Sequence, residues 1–408
     1  MSALSCAPAT FGNVSLFGAE ILSLQTNLVT NYTISVPSSV RFTQPSIEVQ
    51  NASFCNITVI YTHPGQGDII TFESWLPAEG WNGRLQAVGG GGWVAGRSDP
   101  FYNAMGGAVG DGYATITTDA GLGNSLDASS WALLSPGNVN LYNLQNLASV
   151  SLDDGAIIGK SLIKSYYGRG PDYSYWNGCS QGGRQGLMLA QRYPTQYDGI
   201  AAGAPGIQWT DFFPSMLWPQ QFMNMIGQGV PLSIAAQWLS LLVARDPGYD
   251  LFNLSHVEFD WLAHQGRQRY NSIIGTDDPD LSAFRDAGGK LMTFHGLVDE
   301  LLPPKGSVKY YNRVSDLIPE VHDFYRHFEV PGMGHCSGGR SGEPTSLFDQ
   351  LRAWVENGTA PDHTPVKVTT PKGDVQDRVL CPYPQKAVVD PTCDRALGTQ
   401  CWSCGGNL

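Results

Sequence analysis

Charged side chains are scarce in this sequence, and positive ones are the scarcest. Asp, Glu, Lys and Arg make up 15% of 408 residues, and 36 acidic side chains outnumber 24 basic ones, a formal net charge of −12. That balance disfavours a polyanionic partner such as nucleic acid. No apolar run reaches the roughly 20 residues a helix needs to cross a bilayer, so no membrane partner is expected. No apolar leader opens the chain, which therefore reads as a mature or recombinant form. Repeated Cys-x-x-Cys pairs are also missing: Cys401-Trp-Ser-Cys404 is the one such spacing. This puts disulfides ahead of a zinc site completed by Cys381 and Cys393.

What the chain has in quantity is apolar surface and turns. Hydrophobic residues at 42% suffice for a large core, and 48 glycines with 26 prolines mark many loops. Eight cysteines occur with six Asn-x-Ser/Thr sequons, at Asn13, Asn31, Asn51, Asn56, Asn253 and Asn357. Together they fit a secreted, extracellular chain that carries N-glycans at some of those positions. Cys6 is expected to pair with Cys55. The pairing among Cys381, Cys393, Cys401 and Cys404 stays open.

Residues 174–184 read Ser-Tyr-Trp-Asn-Gly-Cys-Ser-Gln-Gly-Gly-Arg. Residues 174–177 suit a short strand and 185–192 a helix, with Gly178, Cys179, Ser180, Gln181 and Gly182 between them. Strand, glycine-flanked serine and helix make a nucleophile elbow. Its strained turn lifts the hydroxyl above the sheet and aims the next amide, that of Gln181, at the same point. The bland alternative is an ordinary strand-to-helix turn with a stray serine.

Before the elbow, 32–40, 54–61 and 68–76 read as strands. A short apolar strand, 85–88, runs straight into four glycines and Trp93. In a serine hydrolase the loop after an early strand supplies the second oxyanion amide. Gly91 and Gly92 are the candidates, because the donor should lie just past the strand end. A strand at 113–118, a helix within 144–167 and a strand at 200–204 complete an alternating order, which implies a mainly parallel α/β sheet. The alternation stops between 208 and 279. Trp209, Phe212, Phe213, Trp218, Phe222, Met223, Met225 and Trp238 gather there among prolines. Such a segment reads as a cap whose aromatics mostly dock it onto the core. Trp209 and Trp218 are the foremost candidates for stacking on an aromatic acyl ring.

The alternation resumes after 280. A strand at 290–295 runs into Gly296-Leu-Val-Asp299-Glu300, and one at 324–330 runs into Pro331-Gly-Met-Gly-His335-Cys336. A serine hydroxyl needs a base to take its proton, and an imidazole needs a carboxylate to fix its tautomer. In α/β hydrolases these groups arrive in the order Ser, Asp, His on loops at strand ends. Ser180, Asp299 and His335 meet that order and position, with Glu300 and Asp323 as rivals for the acid. Contact between Ser180 and His335 would bring their neighbours Cys179 and Cys336 within bridging distance, tying the nucleophile loop to the base loop.

With Gly178-Cys-Ser-Gln-Gly-Gly-Arg-Gln-Gly186, Asp299 and His335-Cys336 in view, the sequence resembles the fungal tannase and feruloyl esterase family. The resemblance extends through Gln191-Arg-Tyr-Pro194, Asp280-Leu-Ser-Ala-Phe284, His295-Gly296 and Leu380-Cys-Pro-Tyr-Pro384. It implies an α/β-hydrolase fold, with 1–207 and 280–408 as a discontinuous catalytic domain and 208–279 as a lid inserted before the acid. It implies a Ser180–His335–Asp299 triad, an oxyanion hole from Gln181 with one of the Gly90–Gly92 amides, and a Cys179–Cys336 disulfide. The implied reaction is hydrolysis of phenolic-acid esters through an acyl-enzyme. Family lids carry extra cysteines and a calcium-binding acidic loop, and 208–279 has neither. A shortened lid, no metal and no cofactor are therefore expected. The function read from all this is a feruloyl esterase first, acting on small or polysaccharide-linked aromatic esters. A tannase or another aryl or polyester carboxylesterase comes next. A binding protein on a hydrolase fold that has lost turnover is the reading outside enzymology.

Overall fold

Strands buried on both faces dictate the centre of this molecule. The computed structural model describes residues 5–12, 14–224 and 232–406, and Asn13 and Met225 lie outside them. Nine strands form one sheet: β1 (Glu20–Val36), β2 (Ile47–Thr62), β3 (Ile70–Pro77), β4 (Arg84–Val88), β5 (Ala114–Thr118), β6 (Tyr173–Cys179), β7 (Gly199–Gly203), β8 (Lys290–Gly296) and β9 (Tyr325–Val330). Their spatial order is β1-β2-β3-β5-β4-β6-β7-β8-β9. From β5 to β9 all pairings are parallel, while β1, β2 and β3 join antiparallel at one edge. β5 and β7 are buried at every position, as parallel strands covered on both sides must be.

The helices on the two faces follow the period-2 alternation of the strands. Trp176, Ile200 and Leu291 point to the core shared with α2 (Ser151–Tyr167), α3 (Gln181–Arg192) and α6 (Pro304–Leu317). Their neighbours Tyr175, Ala201 and Met292 point to the opposite core, against α7 (Leu347–Asn357). On that same side, α1 (Asp99–Gly110) covers Trp75 and Val88. The architecture is that of an α/β hydrolase with a mainly parallel central sheet.

The segment between β7 and β8 builds the cap, from α4 (Trp209–Asn224), α5 (His256–Ile274) and shorter turns. Its core holds Trp209, Phe213, Trp238 and Tyr270, and also Trp93, Trp131, Leu144 and Leu147 from much earlier in the chain. Residues 208–279 therefore do not bury their own aromatics alone; the turn after β4 and the stretch after β5 supply the rest. The C-terminal tail folds as two antiparallel hairpins, 364–380 and 386–405. There Cys381 joins Cys404 and Cys393 joins Cys401. All four thiols of the zinc alternative are thus consumed, and Cys6 joins Cys55. Among the described residues no helix is long and apolar enough to cross a membrane.

Candidate active site

The end of β6 and the start of α3 leave one residue between them, Ser180, with φ 61° and ψ −119°. A non-glycine residue held there costs about 1–3 kcal/mol. Neighbouring backbone hydrogen bonds offset that cost: Ser180 N donates to Gly203 O at 3.0 Å, and Arg184 N to Ser180 O at 2.9 Å. The turn is tight enough that a Cβ on Gly178 would lie 2.7 Å from the Gly182 carbonyl carbon. Glycine at 178 is thus a steric requirement of this bend.

Asp299 lies just past β8. Its Oδ2 is 2.8 Å from His335 Nδ1, and its Oδ1 accepts the amides of Leu301 and Leu302, each at 2.8 Å. A second imidazole also reaches Oδ2, that of His295 through Nε2 at 3.1 Å. Burial pushes the Asp299 carboxyl up, but hydrogen bonds from His295 and His335 and the charge of His335 outweigh it. The group is held well below the usual carboxylate range. Glu300, the sequence rival, accepts the backbone amide of His335 at 3.1 Å instead of its ring. Asp323 precedes β9, at the far end of that strand from His335.

Ser180 and His335 line one pocket of about 370 Å³. Its walls carry Phe42, Phe101, Leu126, Trp209, Phe212 and Phe213, so they are largely apolar and aromatic. The Ser180 hydroxyl makes no hydrogen bond to a described protein atom; in unliganded enzymes such contacts are often long and tighten with substrate. Beside the pair, Cys179 and Cys336 are joined with their Cα atoms 5.9 Å apart. Cys336 also holds a positive φ, of 62°.

The glycine run forms a tight turn, in which the Gly91 amide donates to Val94 O and the Val94 amide to Gly91 O, each at 3.0 Å. Gly92 takes φ +57° at the first central position. The Gly91 N–H is therefore already spent, a correction to its place among the oxyanion candidates. The amides of Gly92 and Gln181 donate to no described protein atom, and both residues face the pocket. The run is clamped to the elbow: Gly182 N donates to Gly90 O at 2.8 Å, and Gly90 N to Gln185 Oε1 at 2.9 Å.

The protein-family model described as tannase and feruloyl esterase matches residues 55–225 and 217–397. The chain belongs to the tannase and feruloyl esterase family. It is a carboxylic ester hydrolase. A probable feruloyl esterase of Arthroderma benhamiae is 31% identical over 485 aligned positions, covering 90% of this chain and 88% of that protein. A mono(2-hydroxyethyl) terephthalate hydrolase of Piscinibacter sakaiensis is 27% identical, covering 78% of each. Among solved structures, the tannin acyl hydrolase from Aspergillus niger superposes with a TM-score of 0.81 at 23% identity, covering 98% of this chain and 95% of that one. At that identity the likeness bears on the fold.

Of the two tryptophans singled out in the cap, this family member brings one to the pocket. Trp209 forms part of the wall. Trp218 follows it by nine residues on α4, half a turn out of phase on a 3.6-residue helix. It is 37% exposed and packs on His256 and Phe259 instead. Sequence reasoning missed Phe42, Phe101 and Leu126, which come from three separate connections and carry no shared pattern. It also passed over Arg184, whose guanidinium is fully buried and makes no ion pair with a carboxylate among the described residues. Arg184 donates to Gln181 Oε1 at 2.7 Å and to the carbonyls of Leu147 and Ala148, and lies over the Trp209 ring. Burial, then the charge of Arg192, pushes it down to about 9. Among the described residues no cluster of His, Cys, Asp or Glu is arranged to hold a metal ion.

Proposed function

We propose that this ester hydrolase is a secreted serine esterase acting on esters of phenolic acids, feruloyl esters first, with Ser180 as nucleophile, His335 as base and Asp299 as its orienting carboxylate. The observation that carries the reading is that a strained serine and an imidazole bound to a buried carboxylate open onto one aromatic-walled pocket. With Nδ1–H given to Asp299, His335 keeps a lone pair on Nε2 to take the Ser180 proton. The Ser180 oxygen then bonds to the ester carbonyl carbon. The resulting oxyanion faces the amides of Gln181 and Gly92, and the alcohol leaves with the proton from His335. Water, deprotonated by the same imidazole, attacks the acyl-enzyme and releases the acid.

The cap, residues 208–279 together with the stretch after β5, roofs the acyl side. Its described pocket side chains are apolar, which suits a feruloyl ring, with one hydroxyl and one methoxy group, better than a galloyl ring, whose three hydroxyls would lose water without partners. Secretion and glycosylation belong to the same reading. Asn31, Asn51, Asn253 and Asn357 are exposed and suit N-glycans, whereas Asn56 has its Oδ1 sealed within β2.

Purified protein is expected to release acid from methyl ferulate faster than from methyl gallate, and Ser180→Ala to abolish both. Turnover of short aliphatic esters with neither aromatic ester cleaved would remove the phenolic assignment. A folded protein that a fluorophosphonate does not label would support the binding-protein reading instead.

A further inference from the structure

His295 sits at the end of β8, four residues before Asp299. Its side chain is 2% exposed. Nε2 lies 3.1 Å from Asp299 Oδ2, and Nδ1 lies 2.7 Å from Ser307 Oγ on α6. A carboxylate only accepts, so Nε2 carries the hydrogen; the Ser307 hydroxyl then donates to Nδ1, and both ring nitrogens are satisfied. Asp299 thereby receives four donors: two amides on Oδ1 and two imidazoles on Oδ2. One carboxylate oxygen is shared between His335 and a second ring that faces away from the pocket.

We propose that His295 is a positioning residue for ester hydrolysis, holding the Asp299 carboxylate in the plane that meets His335 Nδ1 and limiting how strongly that oxygen binds the His335 proton. The inference rests on the triad reading above. The hydrogen-bond geometry has a direct consequence. An oxygen that already accepts one N–H is a weaker acceptor for the next, so His295 moderates the basicity that Asp299 confers on His335. The other titratable groups around it are His335 itself, Glu300 on the His335 amide, and two groups beyond. These are His327 on β9 and Lys386, both within electrostatic reach of one another, with His327 pushed down to about 3 first by burial and then by His295 and Lys386.

The test begins with Ser180→Ala, which must abolish turnover if the triad reading holds. His295→Leu and His295→Gln are then compared with wild type for kcat, KM and the pH profile on methyl ferulate. Leucine removes the donor at similar volume, and glutamine returns an N–H near the place of Nε2. His295→Leu is expected to lose ~10- to 100-fold in kcat with KM little changed, the scale of one charge-assisted hydrogen bond. Its acid limb is expected to move to higher pH, because Asp299 with one donor fewer grips the His335 imidazolium more tightly. His295→Gln should recover most of the rate and return the limb. Ser307→Ala, which keeps the ring but frees Nδ1, should move both in the same direction by less. A folded His295→Leu with the wild-type acid limb would overturn the proposal, as would a loss that glutamine does not recover. If His295→Leu does not fold, an unmoved rate and limb in Ser307→Ala overturn it instead. Turnover retained by Ser180→Ala would sink the triad reading and this inference with it; a silent His295 beside a dead Ser180→Ala sinks this inference alone.

Discussion

Replacing Cys179 and Cys336 together by alanine tests whether the bridge beside the candidate site acts on both stability and rate. The two cysteines are 157 residues apart in sequence. The other three bridges, Cys6–Cys55, Cys381–Cys404 and Cys393–Cys401, have no end inside that interval, so nothing shortens the loop it closes. Chain entropy for a loop of that length corresponds to about 5 kcal/mol, and measured bridges more often deliver about 2–4. A loss of ~3–5 kcal/mol in unfolding free energy is therefore expected. The second effect is geometric. Without the bridge, the His335 loop stays tied to the Asp299 loop through hydrogen bonds: the His335 ring to Asp299, the His335 amide to Glu300 and the Val298 amide to Met333 O. A drift near 1 Å costs about 100-fold in rate, so kcat on methyl ferulate is expected to fall by ~10- to 100-fold. The assay pairs equilibrium urea unfolding with steady-state kinetics. The control is Cys381→Ala with Cys404→Ala, which opens a 23-residue separation far from the pocket. That variant should lose about 3 kcal/mol with kcat unchanged. A Cys179/Cys336 variant within about 1 kcal/mol of wild type, or one as destabilised as the control but with full kcat, would refute the respective half of the argument.

Gly90→Ala should fail to fold or lose all activity, because its Cβ would lie 2.1 Å from Val94 O and 2.4 Å from the Ala95 carbonyl carbon, backbone atoms that cannot step aside; soluble expression and thermal melting check this. Trp209→Ala should raise KM for methyl ferulate and cost ~3–5 kcal/mol of stability, the range for a large buried aromatic. Trp218→Ala should leave KM unchanged and cost under about 1 kcal/mol, since that ring lies outside the pocket wall. Asp299→Asn should cut kcat steeply, and its stability deficit should depend on pH. The folded carboxyl is depressed, so its contribution is present above the unfolded value of about 4 and is lost as pH falls toward the folded one. Urea unfolding at decreasing pH should therefore show wild type and Asp299→Asn converging below about pH 4; a gap that stays constant would count against the depressed carboxyl.

What was legible in the sequence is what local rules govern. Glycines on both sides of Ser180, and apolar runs ending in glycine loops at Asp299 and His335, are properties of neighbouring residues, and the structure has each of those loops at the end of a parallel strand. What was not legible depends on pairings between distant segments. The cap core draws Trp93, Trp131 and Leu147 to meet Trp209 and Trp238, and no periodicity links those stretches. Four tail cysteines admit three pairings, and their spacing does not choose between them. Four successive glycines likewise carry no mark of which amide the turn will consume; that depends on Val94 O folding back onto Gly91.

His295 shows the same limit inside the site. Read along β8 it is an interior strand residue, since residues two apart share a face and His295 follows Thr293 into the core. After Gly296 the chain turns, and the Asp299 amide donates to Gly296 O. That reversal carries the carboxylate back over the strand end, so a side chain buried by the strand's alternation meets one delivered by the loop. Strand periodicity ends where the turn begins, and the contact between Asp299 and His295 exists because the two regimes abut at Gly296. A glycine at 296 is what lets them abut: a Cβ there would lie 2.3 Å from Met333 O, on the very loop that presents His335. Gly296→Ala should therefore displace the His335 loop and the Asp299 turn together. A loss of kcat at least as deep as that of His295→Leu is expected, measured on the same ester, and a Gly296→Ala enzyme with near wild-type kcat would show that the close packing of these two loops is not what aligns the carboxylate with the imidazole.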